Sequence, residues 1–173
     1  MILNVLYASD ENYAMYTGIS LYSLLKNNEN IDNIYIHVLD NNISNQSKLK
    51  LNKIAYEFNC EIRYWDASKL FSELATKVSM KNTQTITAYA CCFMAYILDD
   101  TIDNILYMDG DSLVLGDLSE LCSIDMNDTF VCGALDIAVP AVRSKIGFKQ
   151  SDPYINSGFL YMSLNNIRNA NLE

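Results

Sequence analysis

The stretch Ile105-Leu-Tyr-Met-Asp109-Gly-Asp111-Ser-Leu-Val-Leu115 decides the reading of this chain. An apolar run of strand length ends in two carboxylates one residue apart, and a second apolar run follows at once. On an extended backbone alternate side chains point the same way, so Asp109 and Asp111 are placed to converge on one hard cation. Gly110 between them lets backbone or ligand come close. Oxygen-only ligands suit Mn2+ or Mg2+, which complete their shells with water and phosphate oxygens. The stretch therefore points to metal-assisted chemistry on a phosphorylated or nucleotide-linked substrate. An acid pair by itself is more often a solvated turn, so its meaning depends on where the rest of the chain puts it.

Working outward, Ile2–Tyr7 is a continuous apolar run of the kind buried on both faces of a parallel sheet. The polar segment Ala8-Ser9-Asp10-Glu11-Asn12 is expected to be a loop after it. Tyr13–Lys26 reads as a helix with Tyr16, Ile19, Leu21, Tyr22 and Leu25 as its apolar stripe, closed by Asn27-Asn28. Ile34–Leu39 reads as a second strand, and Ser44 as the N-cap of a helix through Phe58, with Leu51, Ile54, Ala55 and Phe58 at helical spacing. Glu61–Trp65 reads as a third strand, Ala67–Leu74 as a short helix, Val78–Thr85 as a polar loop and Ala88–Leu98 as a buried helix. Asn104–Met108, Val131–Leu135 and Phe159–Leu164 are further strands, and a helix starts at Asn165.

Strands alternating with helices imply an α/β architecture with a mainly parallel sheet and right-handed crossovers. Ligands in such sheets bind beyond the carboxyl ends of the strands. Ala8–Asn12 and Asp109–Asp111 both follow strands in that position. Two polar motifs at one sheet edge are stronger evidence for a site than either alone. Asp10 or Asn12 could simply cap the next helix. They could instead bond a base edge or ribose while Tyr13 stacks on the base. Asp136 follows another strand, and Asn156-Ser157-Gly158 reads as a tight turn before the last one, where Asn156 could hold a sugar hydroxyl or face an acceptor.

The chain has 173 residues, 50% hydrophobic and 19% charged, with a formal net charge of −9. That length fits one domain, 1–173, able to bury roughly 70% of the surface its unfolded form exposes. No internal repeat or Pro/Gly/Ser-rich linker divides it. The acidic balance argues against nucleic acid or an anionic membrane as main partner. A nucleotide-sugar is still compatible, because a bound divalent cation inverts the local sign. Five cysteines, an odd number with Cys91 and Cys92 adjacent and no CxxC pair, beside the single His37, fit neither a zinc cluster nor a disulfide framework. Reduced, buried thiols of a cytoplasmic protein are expected. His37, within a strand, is expected to be a packed residue. No apolar stretch reaches the ~18 residues of a membrane span, and the N-terminal run lacks the basic flank of a secretory signal.

Taken together, Val5-Leu-Tyr-Ala-Ser-Asp10-Glu-Asn12-Tyr13, Ile36-His-Val-Leu-Asp40, Thr87-Ala-Tyr89-Ala, Ile105-Leu-Tyr-Met-Asp109-Gly-Asp111, Gly133-Ala-Leu-Asp136 and Tyr154-Ile-Asn156-Ser157-Gly158-Phe resemble glycosyltransferase family 8 in order and spacing. The resemblance covers essentially the whole chain. It implies a GT-A nucleotide-diphospho-sugar transferase fold, Rossmann-like, with a mainly parallel sheet flanked by helices. It implies retaining transfer of glucose or galactose from a UDP-sugar, dependent on Mn2+ or Mg2+, to a saccharide, lipid-linked or protein acceptor, as in the making of bacterial cell-surface polysaccharide. Ala8, Ser9, Asp10, Asn12 and Tyr13 would then hold the uridine, and Asp109, Gly110 and Asp111 the metal and diphosphate. Asp111 would be the firmer metal ligand, with Asp109 also reaching sugar or ribose. Asn156 and Ser157 would line the sugar side. Asp136 and Asn156 are the candidates for catalytic roles, and neither identifies itself as a nucleophile.

Two departures bear on this resemblance. The family's Tyr-Ala-Arg reads Tyr89-Ala90-Cys91 here, and a thiol supplies neither fixed charge nor paired donors. Family catalytic domains also run on past residue 173, into a segment that would carry an Asp-Gln-Asp-like run and a metal-binding His. His37 lies in the wrong strand to replace that ligand. An incomplete C-terminal side is therefore expected, with dimerisation or poor solubility as its consequence. Other readings are a non-catalytic nucleotide-sugar-binding module and a haloacid dehalogenase-type phosphatase. The latter needs a later acidic pair that the sequence lacks. A cytoplasmic location is expected, with peripheral attachment at the inner membrane face open.

Overall fold

Strand and helix alternate from the first residues of the computed structural model, which describes residues 1–77, 89, 92–136, 147–149 and 152–170. The elements are β1 (Ile2–Asp10), α1 (Ala14–Asn27), β2 (Asn33–Asn41), α2 (Asn45–Glu57), β3 (Ile62–Asp66), α3 (Ser68–Lys77), α4 (Met94–Ile97), β4 (Asn104–Met108), β5 (Val131–Leu135), β6 (Ile155–Ser163) and α5 (Leu164–Asn169), with a 3-10 turn over Ser119–Ser123. They form one six-stranded sheet in the order β3-β2-β1-β4-β6-β5. β1 pairs in parallel with β2 and β4, and β2 with β3; β6 is antiparallel to both β4 and β5. The sheet is mixed, with its parallel part where the sequence has its continuous apolar runs.

Those runs are apolar on both faces because both faces are covered. Leu3, Val5 and Tyr7 of β1, with Ile36, Val38, Leu106 and Met108, pack on Leu21, Leu24 and Leu25 of α1. Leu6, Leu39, Ile105 and Tyr107 point the other way, into Phe71 of α3, Met94 and Ala95 of α4 and Leu164 of α5. Ser44 caps α2 as expected, its hydroxyl accepting from Ser47 N at 3.2 Å. Arg168 of α5 fastens the second layer: its guanidinium donates to the carbonyls of Ala95 (2.8 Å), Leu98 (3.2 Å), Asp99 (3.0 Å) and Ile102 (3.0 Å).

Several boundaries and faces differ from the sequence reading. Ala8, Ser9 and Asp10 belong to β1, because its pairing with β2 continues to Asp10↔Asn41. Asn156, Ser157 and Gly158 lie within β6, not in a turn before it. On α1, Tyr16, Ile19 and Tyr22 are exposed, whereas Thr17, Gly18 and Ser20 are buried with Leu21, Leu24 and Leu25. The hydroxyls explain it: Thr17 donates to Ser9 Oγ (3.0 Å) and Ser20 to Tyr7 Oη (3.2 Å), so polar side chains face the sheet with partners. The expected helix Ala88–Leu98 is helical over Met94–Ile97; Ala88, Ala90 and Cys91 lie outside the described residues, as does the expected loop Val78–Thr85. The expected buried thiols are not deep in the core. Cys60, Cys122 and Cys132 are half-buried free thiols and Cys92 is exposed.

Asn27 and Asn28 do more than end α1. Asn27 Nδ2 donates to Val114 O (2.9 Å), and Val114 N donates to Ser23 Oγ (2.9 Å). Asn28 is fully buried; its Oδ1 accepts from Leu118 N (2.6 Å) while Nδ2 donates to Leu24 O (2.9 Å) and Gly116 O (3.4 Å). The end of α1 thereby holds the segment that follows the acid pair. Asn28→Ala leaves a buried amide and carbonyls unpaired, and urea denaturation is expected to show a loss of ~2 kcal/mol or more.

His37 is a packed residue, as its place in the strand suggested. Trp65 Nε1 donates to its Nδ1 at 3.3 Å, so Nε2 carries the proton and donates to Asn4 Oδ1 at 3.1 Å. Burial, then the Arg63 charge, lower its pKa to about 4. A depressed histidine pKa favours the neutral folded form, so its contribution is full above pH ~6.5 and is lost as pH falls towards 4. The stability difference between wild type and His37→Gln, from urea denaturation at several pH values, should shrink over that window by up to about 3 kcal/mol.

Candidate functional site

β1 and β4 are neighbours in register Tyr7↔Met108, so the residues after each emerge side by side at one sheet edge. After β4 the backbone leaves the sheet. Ser112 N donates to Asp109 O (3.1 Å), closing a turn over Asp109–Ser112, and the Ser112 hydroxyl donates to the same carbonyl. The alternation expected of an extended backbone therefore does not relate Asp109 to Asp111. The turn sets them instead, with Asp109 half-buried and Asp111 exposed.

The Asp109 carboxylate is held on both sides. Tyr107, two residues earlier and on the same face, donates its hydroxyl to Oδ1 at 2.9 Å. The backbone is tied to β6 by Asp109 N donating to Gly158 O (2.9 Å). A Cβ on Gly158 would collide with Asp109 Oδ2 and lie 3.1 Å from Asn156 Oδ1, so glycine makes room there for the carboxylate. Burial, opposed by the Tyr107 hydroxyl and supplemented by the Asp111 charge, raises the Asp109 pKa above the ordinary carboxylate value.

At the end of β1, Asp10 Oδ1 accepts from Asn12 N (2.9 Å) and Tyr13 N (3.0 Å), closing the turn that leads into α1. The N-cap of α1 is Tyr13, without a side-chain cap bond, so Asp10 shapes the turn before the helix and does not cap it. Ala8 is half-buried and Ser9 buried, while Asn12 and Tyr13 are exposed, the Tyr13 ring lying 5.8 Å from that of Tyr16. At the start of β6, Asn156 Oδ1 accepts from Gly158 N (2.8 Å), and Ser157 is exposed. Asp136 follows edge strand β5 and donates its N–H to Tyr154 O (2.8 Å), which places it two strands from Asp109. The structure thus brings Asp109 and Asn156 together around Gly158, sets Asp10, Asn12 and Tyr13 at the neighbouring strand end, and places Asp136 at the far side of the β4–β6–β5 group. The chain's Cys91 lies outside the described residues.

Four contributors escaped the sequence reading. Tyr107 orients Asp109 and was signalled only by its i−2 spacing. Gly158 gave no signal as the carboxylate's seat. Thr17, wedged between Ser9 and Gly110, was hidden on a helix face scored by apolarity. Glu11 accepts from Ser44 N (2.7 Å), Ser44 Oγ (3.0 Å) and Ser47 Oγ (3.0 Å), pinning the loop after β1 to the start of α2. Those bonds, chiefly that from the Ser44 amide, lower its pKa.

The donor set suits a hard cation. Asp109 and Asp111 offer carboxylate oxygens, and the Asp111 charge adds to the cost of charge on Asp109, which a cation would offset. Among the described residues no group of three His, Cys, Asp or Glu converges.

The sheet and its flanking helices have the GT-A glycosyltransferase fold: a crystal structure of the galactosyltransferase LgtC, in complex with donor and acceptor sugar analogues, superposes with a TM-score of 0.86 at 26% identity, over 96% of this chain and 60% of that one. The chain belongs to glycosyltransferase family 8, whose model, Glycosyl transferase family 8, matches residues 4–173. It is 28% identical over 177 residues to a lipopolysaccharide 1,2-glucosyltransferase of Escherichia coli K12, covering 98% of this chain and 50% of that protein. It is 25% identical over 171 residues to general stress protein A of Bacillus subtilis 168, covering 99% and 59%. The chain thus spans about half the length of the curated relatives it matches. Family membership sets the phosphatase reading aside. Among the described residues no helix is long and apolar enough to cross a membrane.

Gly158→Ala is expected to push the Asp109 carboxylate from its seat and weaken Mn2+ binding, by calorimetric titration, roughly ten-fold or more. Tyr107→Phe, which frees one oxygen without a clash, should cost less.

Proposed function

We propose that this chain is the donor-binding part of a retaining hexosyltransferase that uses a UDP-sugar, UDP-glucose or UDP-galactose, with Mn2+ or Mg2+. The observation that carries this reading is the meeting of two strand-end motifs at one edge: Asp10 as the last residue of β1 with Asn12 and Tyr13 after it, and Asp109 and Asp111 after β4. Family membership supports glycosyl transfer, and the named activities of the glucosyltransferase and galactosyltransferase relatives support a hexose.

In this reading the exposed Tyr13 ring and Asn12 side chain receive the uridine. Asp10, anchored through Oδ1, turns its other oxygen to base or ribose. Asp109 and Asp111 would hold the cation, which when bound supplies a Lewis acid that neutralises charge developing on the diphosphate leaving group. Asp109, fixed by Tyr107 and Gly158, brings its carboxylate to that position without further ordering, and such preorganisation is what a charge-stabilising site requires. Asn156, beside Asp109, and Ser157 line the sugar, and Asp136 reaches its far hydroxyls. Asp136 and Asn156 remain the candidates for catalytic roles. The acceptor is a saccharide, lipid-linked or protein hydroxyl, approaching the anomeric carbon on the face from which UDP leaves. A cytoplasmic protein, possible as a homodimer, fits this role.

Titration with UDP, with and without Mn2+, on wild type and on Asp111→Ala tests the site. Wild type should bind more tightly in Mn2+, and the substitution should remove most of that gain. Binding indifferent to both metal and substitution would overturn the assignment. Mn2+-dependent hydrolysis of, or transfer from, UDP-glucose or UDP-galactose supports the enzyme. Binding without turnover instead supports a nucleotide-sugar-binding module.

A further inference from the structure

We infer that Thr17 is a positioning residue that holds the Asp109-Gly110-Asp111 turn at a set distance from the end of β1, keeping the two halves of the site in register. The inference rests on the proposed nucleotide–metal reading of that site and deepens it. Thr17 lies in the second turn of α1 and is 1% exposed. Its hydroxyl donates to Ser9 Oγ at 3.0 Å, and Ser9 Oγ in turn donates to Asp10 O at 3.2 Å. Ser9 is fully buried. One chain of hydroxyls therefore runs from α1 into the strand end that carries Asp10.

The same oxygen faces the acid pair. A Cβ on Gly110 would sit 2.6 Å from Thr17 Oγ1, but an ordinary 3.5 Å from Thr17 Cα and Cβ. The hydroxyl alone sets the approach. Gly110 does not need its glycine for a left-handed backbone: among the described residues the positive-φ ones are Asn42, Asn59, Asn127 and Gly147. It needs it because Thr17 Oγ1 occupies the space a side chain would take. Thr17 and Gly110 thus act as a matched pair, a hydroxyl against a missing methyl. α1 touches both motifs at this one side chain: through Ser9 the loop that begins with Asp10, through Gly110 the turn whose ends are the two candidate metal ligands. A hydroxyl bonded on one side and in van der Waals contact on the other has little freedom, so movement of the turn must break the bond or open a gap. Partners that orient a metal-binding group from behind commonly matter almost as much as the ligands.

The test is a double-substitution cycle on the full chain, read by UDP titration in Mn2+ and by the amide shift of Asp111 in nitrogen-15 NMR. Gly110→Ala, Thr17→Ala and Thr17→Val should each weaken Mn2+-dependent UDP binding roughly ten-fold, while UDP binding without metal changes less. Thr17→Ser, which keeps the hydroxyl, should behave as wild type. The decisive variant combines Gly110→Ala with Thr17→Ala. Removing the hydroxyl makes room for the new methyl, so the pair should regain most of the affinity that Gly110→Ala loses, and the Asp111 amide should return towards its wild-type shift. Losses that simply add in the double variant, or a Thr17→Val protein that binds as wild type, would overturn the inference. Should wild type bind no UDP in Mn2+, the functional reading fails, and the Asp111 shift across wild type, Gly110→Ala, Thr17→Ala and the double variant still decides whether Thr17 positions the turn. Melting temperatures for each variant separate a moved turn from an unfolded chain.

Discussion

The site depends on the parallel ladder that β1 makes with the strands on either side. With β2 it runs unbroken from Ile2↔Asn33 to Asp10↔Asn41, and with β4 from Val5↔Leu106 to Tyr7↔Met108. Parallel strands share a direction, so their carboxyl ends reach the same edge, and whatever follows them is brought together there. The register is not free to slide. A shift of one residue would send Leu3, Val5 and Tyr7 to the face of Leu6, away from Leu21, Leu24 and Leu25. Burial at the centre of the sheet thus fixes the height of Asp10 relative to Asp109, although neither acid is itself part of the core.

How much of this was legible follows from what each part is made of. β1, β2 and β4 could be read because strands covered on both faces are written as continuous apolar runs. Their ends could not. Ala8-Ser9-Asp10 and Asn156-Ser157-Gly158 look like turns, and what makes them strand is pairing supplied by segments far away in the chain. The buried face of α1 was misread for a related reason. Periodicity counts apolar residues, whereas Thr17 and Ser20 are buried because Ser9 and Tyr7 offer oxygens opposite them.

The candidate site divides in the same way. Asp109, Asp111, Asp10, Asn12 and Tyr13 were visible because each sits at a strand end or beside one in sequence. The groups that hold them were not: Glu11 finds Ser44 and Ser47 on another helix, Gly158 receives the carboxylate of another strand, and Gly110 faces a hydroxyl from α1. Sequence patterns expose the residues that would meet a ligand. The residues that position them are specified by tertiary contacts, which leave little periodicity to read.

That difference also says why the pair after β4 should be where a cation belongs. Each parallel strand brings an aspartate to the same edge, and three of the four are committed to backbone that follows. Asp10 accepts from Asn12 N and Tyr13 N. Asp40 accepts from Ile43 N and pairs with Lys48. Asp66 accepts from the amide and hydroxyl of Ser68, which lower its pKa. Backbone amides and a lysine ammonium thus partner those three carboxylates. Among the described residues the Asp109 side chain receives only the Tyr107 hydroxyl, and burial, with Asp111 nearby, raises its pKa. In a chain of net charge −9, an acid pair with so little compensation is a cost to the fold unless a cation shares it. In the proposed reading, Asp109 and Asp111 would share that cost with a divalent ion, whose charge would reverse the local field and let so acidic a protein accept a nucleotide-sugar.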